Sequence, residues 1–293
     1  MSQFTCMVCG ANECRPWHQS CRDYYLGLGH PVDYVACASC GLVQQHPIPS
    51  DVSSFYENYP VHTRRSPLQQ WARKHLQHEV YFKPSRDTAN QVLLDYGCGD
   101  GVYLREVSDR FKSVVGYEPG AALAASLSAA SPFPVFSDEE AMIRAWEGRV
   151  DVITAHYVME HVTDINHTMR TFSRLLKPGG VIHIAVPNIH SWESRLFKRA
   201  WHGLDAPRHI SFPNTATFAR YATSEGLILK QTRTATFPNT LAASVCTVLT
   251  GHYHSILFNL LIIPSWLIAS VASSGTEVFS LTKNLDNEKR THL

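Results

Sequence analysis

The alternation of short apolar runs with helical patterns from residue 91 onward most constrains how this chain can fold. The runs are QVLLDYG, SVVGYEP, FPVFS, VDVITAHY and GVIHIAVPN, and a helical pattern follows each of the first four. Strands joined through helices pair in parallel, because a parallel connection must cross over the face of the sheet. The pattern therefore predicts an α/β fold in which helices cover both faces of a mostly parallel sheet.

The remainder of the chain predicts two more strands and one unusual helical segment. NTATFARYATSEG predicts an Asn-capped helix, and LILKQTRTA and TEVFSLTK predict a sixth and a seventh strand. Between these strands, residues 255–273 are apolar nearly throughout and approach the length of a membrane span. Pro264, Asn259 and several serines interrupt this segment, and no basic cluster lies close to it. We expect a helical insert at about 239–273 that forms a buried pair, a lid or a dimer face; membrane contact is less favoured, and a true span least.

The first 50 residues carry two Cys-x-x-Cys-Gly units, CMVCG and CASCG. Their thiols have the spacing of a structural zinc site, and the predicted ligands are Cys6, Cys9, Cys37 and Cys40. Four sulfur ligands leave a zinc ion no position for water or substrate, so this metal would fasten the fold without reacting. A rubredoxin-type iron site is the chemical alternative, and Cys14, Cys21 or His18 could replace one ligand.

These patterns divide the chain into three predicted parts. Residues 1–50 form a zinc-binding ribbon, residues 51–90 a linker and helix that belong to a substrate lid, and residues 91–293 the main domain. No secretory signal is recognised at the start of the sequence, so we expect a cytoplasmic protein with reduced cysteines. The 26 basic and 25 acidic residues give a net charge of +1, which argues against a dedicated nucleic-acid binder.

The segment LLDYGCGDG is the strongest functional signal in the main domain. It places Gly97, Gly99 and Gly101 between a strand and a helix, where backbone N–H groups can approach a ligand closely. A dinucleotide-binding fingerprint would need a small residue at position 102, and Val102 stands there. Glu118 ends the second strand, where a carboxylate can accept hydrogen bonds from both hydroxyls of a ribose.

LLDYGCGDG, GYEP, EHVTD and LLKPGG, in this order and spacing, resemble the class I S-adenosylmethionine-dependent methyltransferases over residues 90–235. The resemblance implies a Rossmann-like sheet of seven strands, the last antiparallel, with S-adenosylmethionine lying across the carboxyl ends of the strands. It also implies the residues that would bind this cofactor. They are Asp95, Gly97 and Gly99 at the methionyl part, Gly101 in the same glycine loop, Glu118 at the ribose, Ser137 and Asp138 at the adenine edge, and Ala155 and His156 at the sulfonium.

Two segments offer candidates for handling the methyl acceptor. Tyr157, Glu160 and His161 follow the fourth strand, and an imidazole beside a carboxylate suits proton removal from a hydroxyl or an acidic carbon. The Glu-His pair could instead only anchor its loop. In WHGLDAPRHISFP, His209 is a second candidate base or a structural loop residue, and Arg208 could pair with a carboxylate or phosphate of the substrate.

A zinc ribbon ahead of such a core resembles the sugar C-methyltransferases of deoxysugar biosynthesis and related small-molecule methyltransferases. The resemblance implies that the ribbon packs over the substrate side and that Tyr56 and Tyr59 help to close the pocket. Those sugar enzymes carry a further C-terminal domain that is not recognised here, so a more apolar substrate than a nucleotide-sugar is also open.

We therefore expect methyl transfer from S-adenosylmethionine to a small molecule, in specialised or saccharide biosynthesis. The alternatives are an RNA or protein methyltransferase, or a non-catalytic cofactor-binding subunit. The acceptor atom (oxygen, carbon, nitrogen or sulfur) and a homodimeric state stay open.

Overall fold

The computed structural model describes residues 3–28, 31–52, 55–56, 71, 73, 75–77, 79–272 and 275–285. Its strands, numbered along the chain, are β1 Cys14–Cys21, β2 Val32–Cys37, β3 Val43–Gln45, β4 Val92–Tyr96, β5 Ser113–Tyr117, β6 Val135–Phe136, β7 Val150–His156, β8 Leu176–Pro187, β9 Ser211–Phe212, β10 Leu227–Thr236 and β11 Gly275–Lys283. Its helices are α1 Val102–Val107, α2 Ala121–Ala130, α3 Glu139–Trp146, α4 Ile165–Leu175, α5 Trp192–Phe197, α6 Thr215–Ser224, α7 Pro238–Thr250 and α8 Ser255–Ala272.

A seven-stranded sheet forms the main domain, in the order β10-β11-β8-β7-β4-β5-β6. The strands from β6 to β8 pair in parallel, whereas β11 runs antiparallel to both β8 and β10. The central strand β4 is buried on both faces, since Leu93 and Leu94 are both fully inaccessible to solvent. This topology confirms the predicted α/β fold, including its antiparallel last strand.

Side-chain caps fix where several helices of this domain begin. Asp138 accepts a hydrogen bond from Ala141 N before α3, and Asp164 accepts one from His167 N before α4. Asn214 forms a capping box with Thr217 at the start of α6, which is the Asn-capped helix that the sequence predicts. The parallel pairing of β4 with β5 and β7 places the carboxyl ends of these strands, and the loops that follow them, along one edge of the sheet.

The N-terminal module is built around a second sheet, in the order β1-β2-β3-β9. Its fourth strand, β9, comes from the main domain, and Val43 and Gln44 of β3 pair with Phe212 and Ser211. Trp201, Tyr34 and Phe212 also lie in one buried apolar cluster. The predicted boundary at residue 50 therefore does not separate two independent cores, because the module completes its sheet with a strand from the main domain.

Helices α7 and α8 form the predicted insert between β10 and β11. Most of α7 is buried, whereas α8 buries only Phe258, Ile262, Ser265 and Ala269. The expected helical pair is present, but the expectation that it is buried is wrong for α8. This helix has 18 residues and a mean hydropathy of 2.0, so by length and composition alone it could cross a membrane.

Candidate active site

The glycine loop after β4 is held closely against the neighbouring strand. Gly97 has a φ of 76°, and a Cβ there would lie 2.5 Å from the Val158 side chain. The N–H groups of Gly97 and Cys98 donate to the Tyr117 carbonyl oxygen at 2.8 and 2.9 Å. The expectation that these N–H groups face a ligand is therefore not met, because the loop uses them to join β4 to β5. Gly101 serves as the residue before α1, with a φ of 69°.

Glu118 is oriented by the same loop. Its Oε2 accepts a hydrogen bond from Gly99 N at 3.1 Å, and its Oε1 accepts one from Gly120 N at 2.9 Å. The carboxylate is half-buried at the carboxyl end of β5. Each oxygen keeps a lone pair for a further donor, so the group is suited to accept the two hydroxyls of a ribose.

The other predicted cofactor residues occupy different environments. Ser137 and Asp138 are exposed, and Asp138 is used as the cap of α3. Ala155 is buried within β7. At the end of that strand, His156 Nδ1 lies 3.7 Å from Asp95 Oδ1. Asp95 is held in turn by Thr154, whose hydroxyl donates to it at 2.7 Å.

One cavity of about 530 Å³ extends from the glycine loop to the N-terminal module. Asp95, Gly97 and Gly99 line one end, and Tyr25, Asp205 and His209 line the other. Tyr157 also lines it, and its hydroxyl pairs with Thr276 Oγ1 at 2.7 Å. Burial raises the pKa of Tyr157, which keeps this hydroxyl protonated.

Glu160 is a buried carboxyl group without a hydrogen-bonding partner for either oxygen among the described residues. Its side chain is inaccessible to solvent yet borders the cavity. Burial raises the pKa of Glu160 to about 8, so the group is mostly protonated at neutral pH. A protonated carboxyl can donate a hydrogen bond through its O–H and accept one at its other oxygen, which is useful beside a reacting group.

His161 and His209, which the sequence places far apart, lie with ring centroids 4.6 Å apart. His209 Nδ1 donates to the Gly203 carbonyl oxygen at 2.8 Å, so Nε2 carries the free lone pair. His161 Nδ1 lies 2.8 Å from the Tyr56 hydroxyl and 3.1 Å from the Arg208 carbonyl oxygen. Burial lowers the pKa of both rings, to about 3 for His209, and both are neutral at pH 7.

Arg208 is fully buried and is not among the residues that line the cavity. Its guanidinium donates to both oxygens of Asp23 at 2.9 Å and to Asp205 at 2.6 and 3.1 Å. Although burial would raise their pKa values, Arg208 holds the pKa of Asp23 and of Asp205 below the usual range. The structure therefore gives no support to a substrate contact by Arg208, which joins the N-terminal module to the loop of His209.

The N-terminal module holds that same loop through two further side chains. Tyr34 donates its hydroxyl to the His209 carbonyl oxygen at 2.7 Å. Gln45 Nε2 donates to the carbonyl oxygens of His209 at 2.9 Å and Pro207 at 2.6 Å. The backbone of His209 is thus fixed by the Cys-rich module, which explains why its imidazole has a defined direction.

The four predicted thiol ligands lie together in this module. Cys6 Sγ is 3.5 Å from Cys40 Sγ, and Cys9 Sγ is 3.6 Å from Cys37 Sγ. All four sulfur atoms lie within 4.8 Å of one another. A tetrahedron with zinc–sulfur distances of about 2.3 Å has edges of about 3.8 Å, so the arrangement fits a tetrahedral ion.

Glu160, His161 and His209 form a second group whose ligand atoms lie within 4.8 Å of one another. One carboxylate and two imidazoles can bind a divalent cation. A cation there would occupy the lone pairs that a proton would otherwise use. These three side chains can therefore either bind a metal ion or transfer protons. A chelator distinguishes the two roles, because it abolishes activity only if a metal ion is required.

Several cavity residues were not singled out from the sequence. Tyr25 and Tyr253 pack with ring centroids 4.8 Å apart and ring planes tilted by 57°, although no local motif marks either of them. Asp205, whose Oδ2 lies 3.9 Å from His209 Nε2, precedes that histidine by four residues in the segment WHGLDAPRHISFP, and this spacing could have indicated it. Tyr56, which the resemblance assigns to the closing of the pocket, contacts His161 Nδ1 through its hydroxyl, and Tyr59 lies outside the described residues.

Comparison with known proteins agrees with this geometry. The sequence profile of a methyltransferase domain family matches residues 68–231, which is more than half of the chain. Ubiquinone biosynthesis O-methyltransferases are similar to this chain. The enzyme of Pseudomonas paraeruginosa is 33% identical over 34% of this chain and 46% of its own length. The enzyme of Rhizobium etli is 33% identical over 36% of this chain and 45% of its own length. The chain thus spans about half the length of these curated relatives.

Solved structures show the same fold. Phosphoethanolamine N-methyltransferase 2 of Haemonchus contortus superposes with a TM-score of 0.50 at 17% identity, covering 83% of this chain and 63% of that chain. A mostly parallel sheet with this strand order and an antiparallel last strand, a glycine loop after β4 and an acid after β5 define the class I S-adenosylmethionine-dependent methyltransferases. The chain belongs to the methyltransferase domain family, as its profile match establishes.

The position of Glu118 generates a prediction about cofactor affinity. Replacing it by alanine removes an ionised acceptor, and such hydrogen bonds contribute roughly 1.5–3 kcal/mol. We expect Glu118→Ala to raise the Kd for S-adenosylmethionine at least about tenfold in calorimetry. Glu140→Ala, which changes an exposed acid on α3, should leave the Kd unchanged. Equal Kd values for the two variants would contradict the ribose role.

The raised pKa of Glu160 generates a prediction about stability. A carboxyl whose pKa is about 8 in the folded protein and about 4.5 when unfolded favours folding only while protonated, so its contribution is lost as pH rises between these values. Relative to the parent, Glu160→Gln should therefore gain unfolding free energy progressively from about pH 4.5 to about pH 8. Urea unfolding at several pH values measures this difference, and a pH-independent difference would refute the raised pKa.

Proposed function

We propose that the protein transfers a methyl group from S-adenosylmethionine to a hydroxyl of a small, largely apolar molecule, with the His161–His209 pair removing the proton. The observation that carries this proposal is the pair of neutral imidazoles, buried at His209 and half-buried at His161, at the end of the cavity opposite the glycine loop. Proximity of donor and acceptor supplies much of such a reaction's rate, and a positioned base supplies the remainder.

The residues at the sheet edge fit the cofactor. Asp95 and the loop at Gly97 and Gly99 would hold its methionyl part, and the oriented carboxylate of Glu118 would hold its ribose. When bound, S-adenosylmethionine supplies a methyl carbon on a positively charged sulfur, which retains the bonding electron pair as the acceptor oxygen attacks that carbon. Bulky Val102 and the internally bonded N–H groups of the loop make a poor site for a dinucleotide pyrophosphate.

The base is prepared by its surroundings. Because His209 Nδ1 donates to the Gly203 carbonyl, the Nε2 lone pair can receive the acceptor's proton. The ionised Asp205 then stabilises the imidazolium, since its Oδ2 lies 3.9 Å from Nε2. In His161 the Nδ1 atom contacts the Tyr56 hydroxyl and the Arg208 carbonyl oxygen, so the Nε2 lone pair is the one available for a proton. The ring of His161 also packs against that of His209.

The cavity walls favour an uncharged and partly aromatic acceptor. Aromatic side chains form much of the acceptor end: Tyr25, Tyr157, Phe237, Tyr253 and Phe258. Arg73 is the guanidinium that lines the cavity in the described part of the chain, and Glu106 already pairs with it at 2.6 Å. This charge pattern supports a phenol-like hydroxyl better than the diphosphate of a nucleotide-sugar, so we place saccharide biosynthesis second. The names of the curated relatives, which specify O-methylation in ubiquinone biosynthesis, support an oxygen acceptor.

We also propose that the Cys6, Cys9, Cys37 and Cys40 cluster binds one structural Zn²⁺. The sulfur distances close to those of a zinc tetrahedron support this proposal. Because the module also fixes the backbone of His209, the ion would stabilise the acceptor end of the cavity without touching the acceptor. A cytoplasmic location suits reduced thiolate ligands.

An RNA or protein substrate is the second candidate, because the ribbon could bind a macromolecule. The net charge of +1 counts against RNA, whose binding needs a basic surface. A non-catalytic subunit would need none of the buried titratable groups gathered at the cavity, so their arrangement favours an enzyme.

Replacement of the two histidines tests the base. We expect His209→Ala and His161→Ala to lower kcat roughly 10²–10⁴-fold while the Kd for S-adenosylmethionine stays unchanged. Turnover is measured as S-adenosylhomocysteine release with a panel of phenols and catechols. The control is His190→Ala, which changes an exposed histidine away from the cavity. Normal turnover in both variants would contradict the base and leave catalysis to proximity alone. If a chelator abolished activity and a divalent ion restored it, the result would instead favour a cation bound by Glu160, His161 and His209.

Metal analysis tests the zinc site. We expect one zinc per chain in the purified protein, and Cys9→Ser or Cys37→Ser should lower both the zinc content and the Tm. Cys14→Ser is the matched control, because this exposed cysteine lies in β1 of the same module and outside the cluster. Iron with a thiolate absorption band, or full zinc content in the Cys9→Ser variant, would contradict the assignment.

A further inference from the structure

Helix α8 presents an extensive apolar face to solvent. Six of its large aliphatic side chains are exposed by half or more of their area: Ile256 66%, Leu260 70%, Ile263 50%, Leu267 57%, Ile268 52% and Val271 90%. No residue from Ser255 to Ala272 carries a charge. Val248 and Leu249, at the end of α7, extend the set with exposures of 59% and 67%. Monomeric soluble proteins rarely expose so many aliphatic side chains on one element, so this face has a partner.

The shape and composition of this face point to lipid. At 100° per residue the six exposed aliphatic side chains of α8 cover an arc of roughly 140°, wider than the narrow seam that a paired helix buries. Interfaces between proteins are enriched in aromatic residues and arginine. Here the exposed positions of α8 hold only isoleucine, leucine, valine, alanine, serine and proline, which is the composition of a surface that meets acyl chains.

The way α8 is attached decides how it meets a bilayer. Its opposite face packs on the protein through Phe258, Ile262, Ser265 and Ala269 along its whole length. A helix held in this way cannot cross a membrane without leaving its own domain. It can lie parallel to the surface, with its outer face at the boundary between headgroups and acyl chains.

The same helix forms a wall of the active-site cavity. Phe258, Asn259 and Ile262 line the cavity on one side of α8, and Leu260 and Ile263 point to solvent on the other. A bilayer in contact with the outer face would therefore lie one helix diameter from the acceptor end of the cavity.

We propose that α8 docks the protein on a lipid bilayer surface and that the acceptor is an apolar molecule that partitions into that bilayer. The docking stands on the exposed face alone, whereas the nature of the acceptor rests on the proposed methyltransferase function. The helix anchors the open cavity at the membrane, so an acceptor dissolved in the lipid reaches the base without crossing water.

Vesicle binding tests the docking. The probes are sedimented vesicles of phosphatidylcholine alone and of phosphatidylcholine with phosphatidylglycerol. We expect the parent protein to bind both, and the Leu260→Glu/Leu267→Glu double variant to bind at least about tenfold more weakly. Leu196→Glu is the matched control, because Leu196 is 63% exposed on α5 and should keep full binding. Equal Tm values show that the variants are folded.

Two outcomes would overturn the proposal. One is a parent protein that does not bind either kind of vesicle. The other is a dimer in light scattering that the double variant converts to a monomer, which would assign the face to a second copy of the chain.

A separate arm distinguishes the docking from the methyltransferase function. Glu118→Ala should bind vesicles normally although its cofactor affinity is reduced. The Leu260→Glu/Leu267→Glu variant should keep the parent's turnover with a water-soluble phenol and lose it at least about tenfold with an acceptor dissolved in vesicles. Equal losses with both acceptors would overturn the membrane route, and turnover by neither protein would refute the proposed function while leaving the vesicle result intact.

Discussion

The buried ion pairs of Arg208 are the interaction on which the acceptor end of the cavity depends. A fully buried guanidinium is costly to desolvate, and here four hydrogen bonds to Asp23 and Asp205 offset that cost. Removing one partner of such a network is strongly destabilising, because the other charge stays buried. Since Asp23 belongs to the N-terminal module and Asp205 to the loop of His209, the network fixes the two parts in one arrangement. Strand β9, the next element after His209, then completes the module's sheet.

The chemistry of the site depends on the burial that results when the N-terminal module packs on the loop of His209. Burial keeps His161 and His209 neutral and Glu160 mostly protonated, so the cavity holds proton acceptors without adding charge. Asp205 is the negative charge next to His209. It stays ionised because Arg208 pairs with it, and its Oδ2 faces His209 Nε2. The Cys-rich module therefore contributes to the site through position. It supplies Tyr25 to the wall, and it holds the backbone of His209 through Tyr34 and Gln45.

Much of the cofactor end could be predicted from the sequence, whereas little of the acceptor end could. Gly97, Gly99 and Glu118 lie on consecutive strand ends of a parallel sheet, so the strand pattern alone brings them together. The roles of Asp138 and Arg208 were predicted less well, because a helix cap and a buried ion pair depend on partners that no local pattern shows. For α8 the sequence indicated an apolar helix, but its hydropathy is the same for a buried helix and for one that faces lipid.

The sequence by itself determined the α/β class, the order of strands and helices along the chain, the glycine loop and the two pairs of cysteines. Each of these depends on periodicity or spacing within a few residues. Local backbone geometry sets these periods, so they can be recognised in the sequence. Only the tertiary structure decided that Arg208 meets Asp23 across 185 residues, that His209 meets His161, and that α8 keeps its outer face exposed. The physical reason is that burial and ion pairing are properties of surfaces brought together by the topology, and a segment's sequence does not specify which surface covers it.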